Sequence, residues 1–192
     1  MIRSSLFVAA LLSAVTAFAD PVSETQVNIA DVSKSGAPGK SYVAETIVAA
    51  PVPRLCGIIT DYAAYPSFMP NTAEARVVQA TEGFALVDMT LKLPMGKIKK
   101  YRLRMEPKNT PANCHLAWKL VPQPELKQEE TIADTSGYWD LTPTPSDKNK
   151  TMVKYYVYSD PGPVPMGLGW IVDSLGKDSL PKTLEALRAK AK

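Results

Sequence analysis

Between residues 73 and 159 the chain divides into six short segments of alternating apolar and polar residues, 73–80, 84–92, 97–106, 113–121, 134–142 and 150–159. The gaps between them, Thr81-Glu82-Gly83, Leu93-Pro94-Met95-Gly96, Lys108-Asn109-Thr110-Pro111, Pro122 to Glu130 and Pro143 to Asn149, each carry Gly, Pro or Asn. Strand periodicity cut at such intervals by turn residues predicts an antiparallel meander joined by hairpins. The alternation Tyr42, Ala44, Thr46, Val48 adds a strand over 41–48, which Ala49-Ala50-Pro51 ends. Pro51 and Pro53 suit the first turn of a helix, and Leu55, Ile58, Ile59 and Tyr62 follow at helical spacing. That helix should stop before Tyr65-Pro66, leaving a short second helix or turn to carry Ser67, Phe68 and Met69 up to Pro70-Asn71.

After Asp160-Pro161-Gly162-Pro163 the pattern turns helical through Ala191. Leu168, Val172, Leu175, Leu180, Leu184 and Leu187 form the apolar stripe, and Arg188, Lys190 and Lys192 lie where cations suit a helix C-terminus. Pro181 should kink or divide this helix, since it lacks a backbone N–H and crowds the preceding turn. Strand, helix, short helix, six strands and a long final helix predict an α+β fold in which one antiparallel sheet covers one amphipathic helix.

Residues 1–19 read as an export signal. Arg3 is the positive start, Leu6 to Val15 the apolar run, and Ala17-Phe18-Ala19 the small-x-small cleavage pattern, with Asp20 as the mature N-terminus. The run is too short to span a bilayer comfortably, so a soluble periplasmic or secreted protein is expected. Residues 20–40, rich in Ser, Gly and Pro, read as a flexible lead-in with one added strand around Val27, Ile29 and Val32, and 41–192 as the folded domain. An oxidising compartment permits a Cys56–Cys114 disulfide, though two separate buried thiols is the simpler reading of two cysteines whose geometry a sequence does not show.

Composition narrows the partners. Lys and Arg total 22 against 19 Asp and Glu, a net charge of +3, too small for a protein whose main business is a phosphate backbone. Nucleic acid is not expected as a partner. One His and two Cys cannot make a zinc or iron–sulfur site within one chain, and neither a metal nor a cofactor is expected. No phosphate loop, dinucleotide fingerprint or Gly-x-Ser-x-Gly elbow occurs.

Several stretches resemble the START-like (SRPBCC) helix-grip superfamily, in particular its coenzyme-Q-binding and polyketide-cyclase-like branch. They are Ile47-Val48-Ala49-Ala50-Pro51, the Asp-Tyr-x-x-Tyr-Pro-x-Phe-x-Pro run from Asp61 to Pro70, Gly137-Tyr138-Trp139-Asp140-Leu141, Thr151-Met152-Val153-Lys154-Tyr155 and the run from Leu180 to Arg188. The resemblance covers residues 41–190 and implies a START/Bet v 1-like curved antiparallel sheet wrapped around the C-terminal helix, with a deep apolar cavity between them.

Strand alternation assigns the faces. Cys114, Leu116, Trp118 and Leu120 point one way and His115, Ala117 and Lys119 the other; Tyr101, Leu103, Met105, Trp139, Leu141, Val153, Tyr155 and Val157 join the inward set, with Val87 and Met89. Lining the cavity, Met89, Tyr101, Leu103, Trp118, Trp139 and Tyr155 are the candidate ligand-binding residues, and Phe68, Met69, Met166 and Trp170 are candidates for a gate at its mouth. Each of them taken singly also suits plain core packing. His115 faces outward and is not expected to catalyse, while Asp61 and Asp140 read as helix-end or turn residues. The basic run Lys97, Lys99, Lys100, Arg102, Arg104 reads as a solvated outer sheet face, with transient contact to anionic lipid as the alternative. A monomeric, non-enzymatic binder or carrier of a hydrophobic small molecule (lipid, quinone or isoprenoid) is the leading reading. A cyclase- or hydrolase-like enzyme using the same cavity, or a protein-interaction module, are the alternatives.

Overall fold

The computed structural model describes residues 22–110, 112–163 and 177–192. Residues 1–19, read above as an export signal, and the gate candidates Met166 and Trp170 lie outside the described residues. All six segments of the meander are strands: β3 Thr72–Ala80, β4 Ala85–Lys92, β5 Ile98–Asn109, β6 Cys114–Val121, β7 Asp134–Pro143 and β8 Thr151–Asp160. Ahead of them come β1 Asn28–Asp31, β2 Lys40–Val48, helix α1 Val52–Thr60 and a 3-10 turn Tyr62–Ser67; helix α2, Ser179–Ala191, follows. The described strands form one curved antiparallel sheet in the order β1-β2-β8-β7-β6-β5-β4-β3. The meander thus runs β3 to β8 by neighbouring hairpins, and β2 closes on the last strand, with α1 and the 3-10 turn carrying the chain from one side of the sheet to the other.

Alternation in the sequence becomes the inner and outer faces. Along β6, Cys114, Leu116 and Trp118 are buried and His115 and Ala117 are half-exposed; β4, β5 and β8 repeat the pattern. The inner face and α2 enclose a core in which Leu55, Ile59, Leu116, Leu141, Leu180, Leu184 and Leu187 are almost wholly buried. Truncating any one of these to Ala removes transfer energy and leaves a void, about 2–5 kcal/mol for a Leu.

Two details differ from the sequence reading, and a third expectation falls at the edge of the described residues. Cys56 and Cys114 are disulfide-bonded rather than free thiols. Helix α1 packs on the starts of β6 and the end of β7 and brings the two Cα atoms within 5.9 Å, inside the range a disulfide spans. Pro181 lies in the first turn of the described α-helix, directly after the π-helical residues Lys177 and Asp178, and the stretch before 177, where it would kink or divide a longer helix, lies outside the described residues. The lead-in is tied to the body: β1 pairs with β2, and buried Thr46 donates its hydroxyl toward the carbonyls of Gln26 (2.8 Å) and Ser23 (3.0 Å). Arg188 of α2 donates Nη2 to the same hydroxyl oxygen at 2.6 Å, so lead-in, sheet and final helix meet at one threonine.

Candidate functional site

Sheet polarity gives the cavity two ends. Strands β2, β7 and β5 begin at the same end, because β2, β8, β7, β6 and β5 are successive antiparallel neighbours. The opposite end is closed by α1: there Cys114, Leu141, Val153 and Val48 are buried, and the disulfide fastens α1 to β6. The cavity, about 230 Å³, lies between the inner face and α2 and reaches the end where β2, β5 and β7 begin. Lys40 and Asn71 on its rim are exposed.

Met89, Tyr101, Leu103, Trp118, Trp139, Tyr155 and Met69 line it. Tyr155 is the centre of the aromatic wall: its ring stacks on Trp118 at 5.4 Å and tilts against Trp139 at 4.2 Å. Pairing explains this placement, since Trp139 is directly opposite Tyr155 across β7 and β8, and Trp118 is opposite Gly137, whose missing side chain leaves the ring its space. Burial raises the phenol pKa of Tyr101, and burial followed by the proximity of Tyr101 raises that of Tyr155. Both are therefore neutral hydroxyls at physiological pH, suited to orient a ligand rather than to exchange protons with it. Tyr65, also in the wall, uses its hydroxyl to donate to the Ile59 carbonyl at 2.6 Å and so fixes the end of α1.

Phe68 is placed elsewhere. It packs edge-on against Tyr65 at 5.6 Å and lines a separate surface cleft with Pro53, Arg54 and Lys190. His115 is on the outer face as its strand phase requires. Its Nδ1 contacts the Asp140 carboxylate and its ring stacks on Tyr138 at 5.6 Å. Asp140 is thus a mid-strand cross-pair of His115, not a turn residue. This pair is across the sheet from the cavity.

The basic run is split by the sheet. Lys99 shares the inner face with Tyr101 and lines the cavity, whereas Arg102 and Arg104 face out and are engaged, Arg102 with Asp88 (Nε–Oδ1 2.6 Å, Nη2–Oδ2 3.0 Å) and Arg104 with Glu106 at 2.5 Å. The Lys99 ammonium donates to the carbonyl of Thr131 at 2.5 Å. Partial burial, and then the nearby Lys97, pull its pKa below the usual lysine value. Sequence reasoning counted Lys99 in an outer patch, although its parity with Tyr101 carried the signal; Lys40 likewise shares parity with Tyr42. Ile132 and Pro161 line the cavity from connecting segments, for which strand phase gives no guide.

Among the described residues no three His, Cys, Asp or Glu side chains gather as a metal site would require. No described helix is long and apolar enough to cross a membrane.

Residues 48–188 match the family model described as polyketide cyclase / dehydrase and lipid transport. No curated protein matches the sequence. The fold is similar to that of a STAR-related lipid transfer protein from Xanthomonas axonopodis, with a TM-score of 0.73 and 19% identity over 86% of this chain and 93% of that one. It is also similar to human StAR-related lipid transfer protein 5, with a TM-score of 0.72 and 15% identity over 86% and 81% of the two chains. The Zhui aromatase/cyclase from a Streptomyces species gives a TM-score of 0.61 and 15% identity over 86% and 94%. At such identities the likeness is one of fold.

Proposed function

The chain belongs to the polyketide cyclase / dehydrase and lipid transport family, and from that premise we propose that it is an exported, monomeric binder or carrier of a hydrophobic small molecule. The observation that carries the reading is the cavity wall: Trp118 and Trp139 both packed against Tyr155, with Met89, Leu103 and Met105 beside them, around about 230 Å³ of space. Flat aromatic and thioether surfaces suit a lipid, quinone or isoprenoid, and the Tyr101 and Tyr155 hydroxyls are the polar groups that would orient it. Export is supported by the signal-like residues 1–19 and by a disulfide that an oxidising compartment would maintain.

An enzyme of cyclase type would use the same cavity, yet the described residues of its walls offer neutral phenols and a lysine tied to a carbonyl rather than a carboxylate or imidazole. His115 with Asp140 has the makings of a general base on the wrong face of the sheet. The test is native mass spectrometry of the mature protein from an exporting host, followed by solvent extraction. A mass excess that extraction removes is expected. A homogeneous apo mass, with no uptake from a panel of fatty acids, quinones and isoprenoids, would overturn the carrier reading.

A further inference from the structure

Among the described residues, the charged side chains that line the cavity are of one sign. Lys40 and Lys99 both line the cavity, and among its described lining residues none is Asp or Glu. Lys40 is the first residue of β2, Lys99 the second of β5, and both strands begin at the same end of the sheet. Deeper along the same inward rows come Tyr42 after Lys40, and Tyr101, Leu103 and Met105 after Lys99. The cavity is therefore polarised along its length, cationic at the mouth and apolar within. The Lys99 ammonium has three N–H donors and donates to two backbone carbonyls, Thr131 at 2.5 Å and Gln128 at 3.4 Å. Carbonyl dipoles hold an ammonium without neutralising it. Glu129 lies near Lys99 and Asp31 near Lys40, but Lys97 adds to the first site and Lys177 to the second, so the carboxylates do not cancel the positive field.

Resting on the reading of this cavity as a hydrophobic ligand site, we propose that it selects amphiphiles with an anionic head, a carboxylate or phosphate that meets Lys99 and Lys40 while the apolar tail lies against Trp118, Trp139 and Tyr155. A charge-assisted contact at a partly desolvated lysine is stronger than one in open water. The head also replaces water at the rim, where a neutral hydroxyl offers the ammonium no countercharge.

Three probes of one chain length test this at neutral pH: dodecanoate, dodecyl phosphate and 1-dodecanol, titrated against the oxidised mature protein and followed by tryptophan emission and calorimetry. At least one anion is expected to bind about tenfold more tightly than the alcohol, equivalent to ~1.4 kcal/mol, and the tighter of the two identifies the head. In Lys40→Gln/Lys99→Gln the preference should vanish while dodecanol binding is kept; Lys99→Arg, which keeps the charge, should retain it. Equal affinity for all three probes would overturn the proposal and leave the apolar cavity standing, whereas binding of none would overturn both. Should the glutamine variant lose dodecanol to the same degree as the anions, with Lys99→Arg no better, Lys99 only braces the loop that carries Thr131 and the proposal fails.

Discussion

Gly137 is a glycine because Trp118 occupies the place of its side chain. A Cβ at this position would overlap the Trp118 six-membered ring and the Tyr156 carbonyl oxygen. The ring cannot retreat freely, since it is stacked on Tyr155. Gly137→Ala should therefore lower stability by about 1–3 kcal/mol, the usual cost of overpacking a filled site, and alter the emission of Trp118 and the affinity of any ligand in the cavity. Urea unfolding and fluorescence of the variant check this; an unchanged midpoint and an unchanged spectrum would mean that Trp118 does not lie over β7. This dependence of the cavity wall on one missing methyl is invisible in the sequence, where nothing pairs Gly137 with Trp118. The aromatic and aliphatic wall itself was legible, because a strand shows its two faces with period two and Met89, Tyr101, Leu103, Trp118, Trp139 and Tyr155 sit at the right parity. Phe68 was misplaced because a 3-10 turn has no such simple phase, and the Tyr65 ring stands between it and the cavity.

At the scale of the element, the hairpin between β4 and β5 stands out. It closes through Leu93-Pro94-Met95-Gly96-Lys97, with Met95 (φ 60°) and Gly96 (φ 71°) both in the left-handed region that a tight hairpin needs. Met95 is 64% exposed and Ile98 52%, with Lys92, Lys97 and Lys100 exposed around them. Leu93 and Lys99, on the flanks of the same hairpin, line the cavity. The transient membrane contact weighed for the basic run would use this apolar, lysine-ringed tip at the cavity mouth, its side chains entering the acyl boundary of an anionic bilayer and its ammonium groups meeting the phosphates. Met95→Ser/Ile98→Ser should weaken cosedimentation with phosphatidylglycerol-containing vesicles by about tenfold or more, from the ~1.5–3 kcal/mol that burying each side chain contributes, without changing the far-UV circular dichroism. Retention equal to the wild type would show that this tip is not the contact. Sequence reading located the turn and the lysines, but grouped Lys97 to Arg104 as one patch. Alternation divides that run between tip, cavity and two outward ion pairs, and the division depends on where the strand begins.

At the scale of the whole molecule, the two ends of the cavity are held in different ways. The closed end is covalent: Cys56–Cys114 joins α1 to β6 across a sequence separation of 58, and the enclosed loop contains the 3-10 turn and all of β3, β4 and β5. Closing a loop of that size removes about 4 kcal/mol of chain entropy from the unfolded state, a large share of the ~5–15 kcal/mol by which a domain is stable. The open end is lined by Lys40 and Lys99, by connecting segments and by the first turn of α2, with no covalent link among the described residues. Cys56→Ser/Cys114→Ser should accordingly lose about 4 kcal/mol in urea unfolding, and protein made in a reducing cytosol should match the variant until it is oxidised. The base of the cavity should loosen first, so amide hydrogens in α1 and at the start of β6 should exchange faster in the variant, while those around Lys40 and Lys99 change less. Identical midpoints for the reduced and oxidised protein would remove the disulfide from the stability of the fold and with it the physical argument that this chain is built for an oxidising compartment.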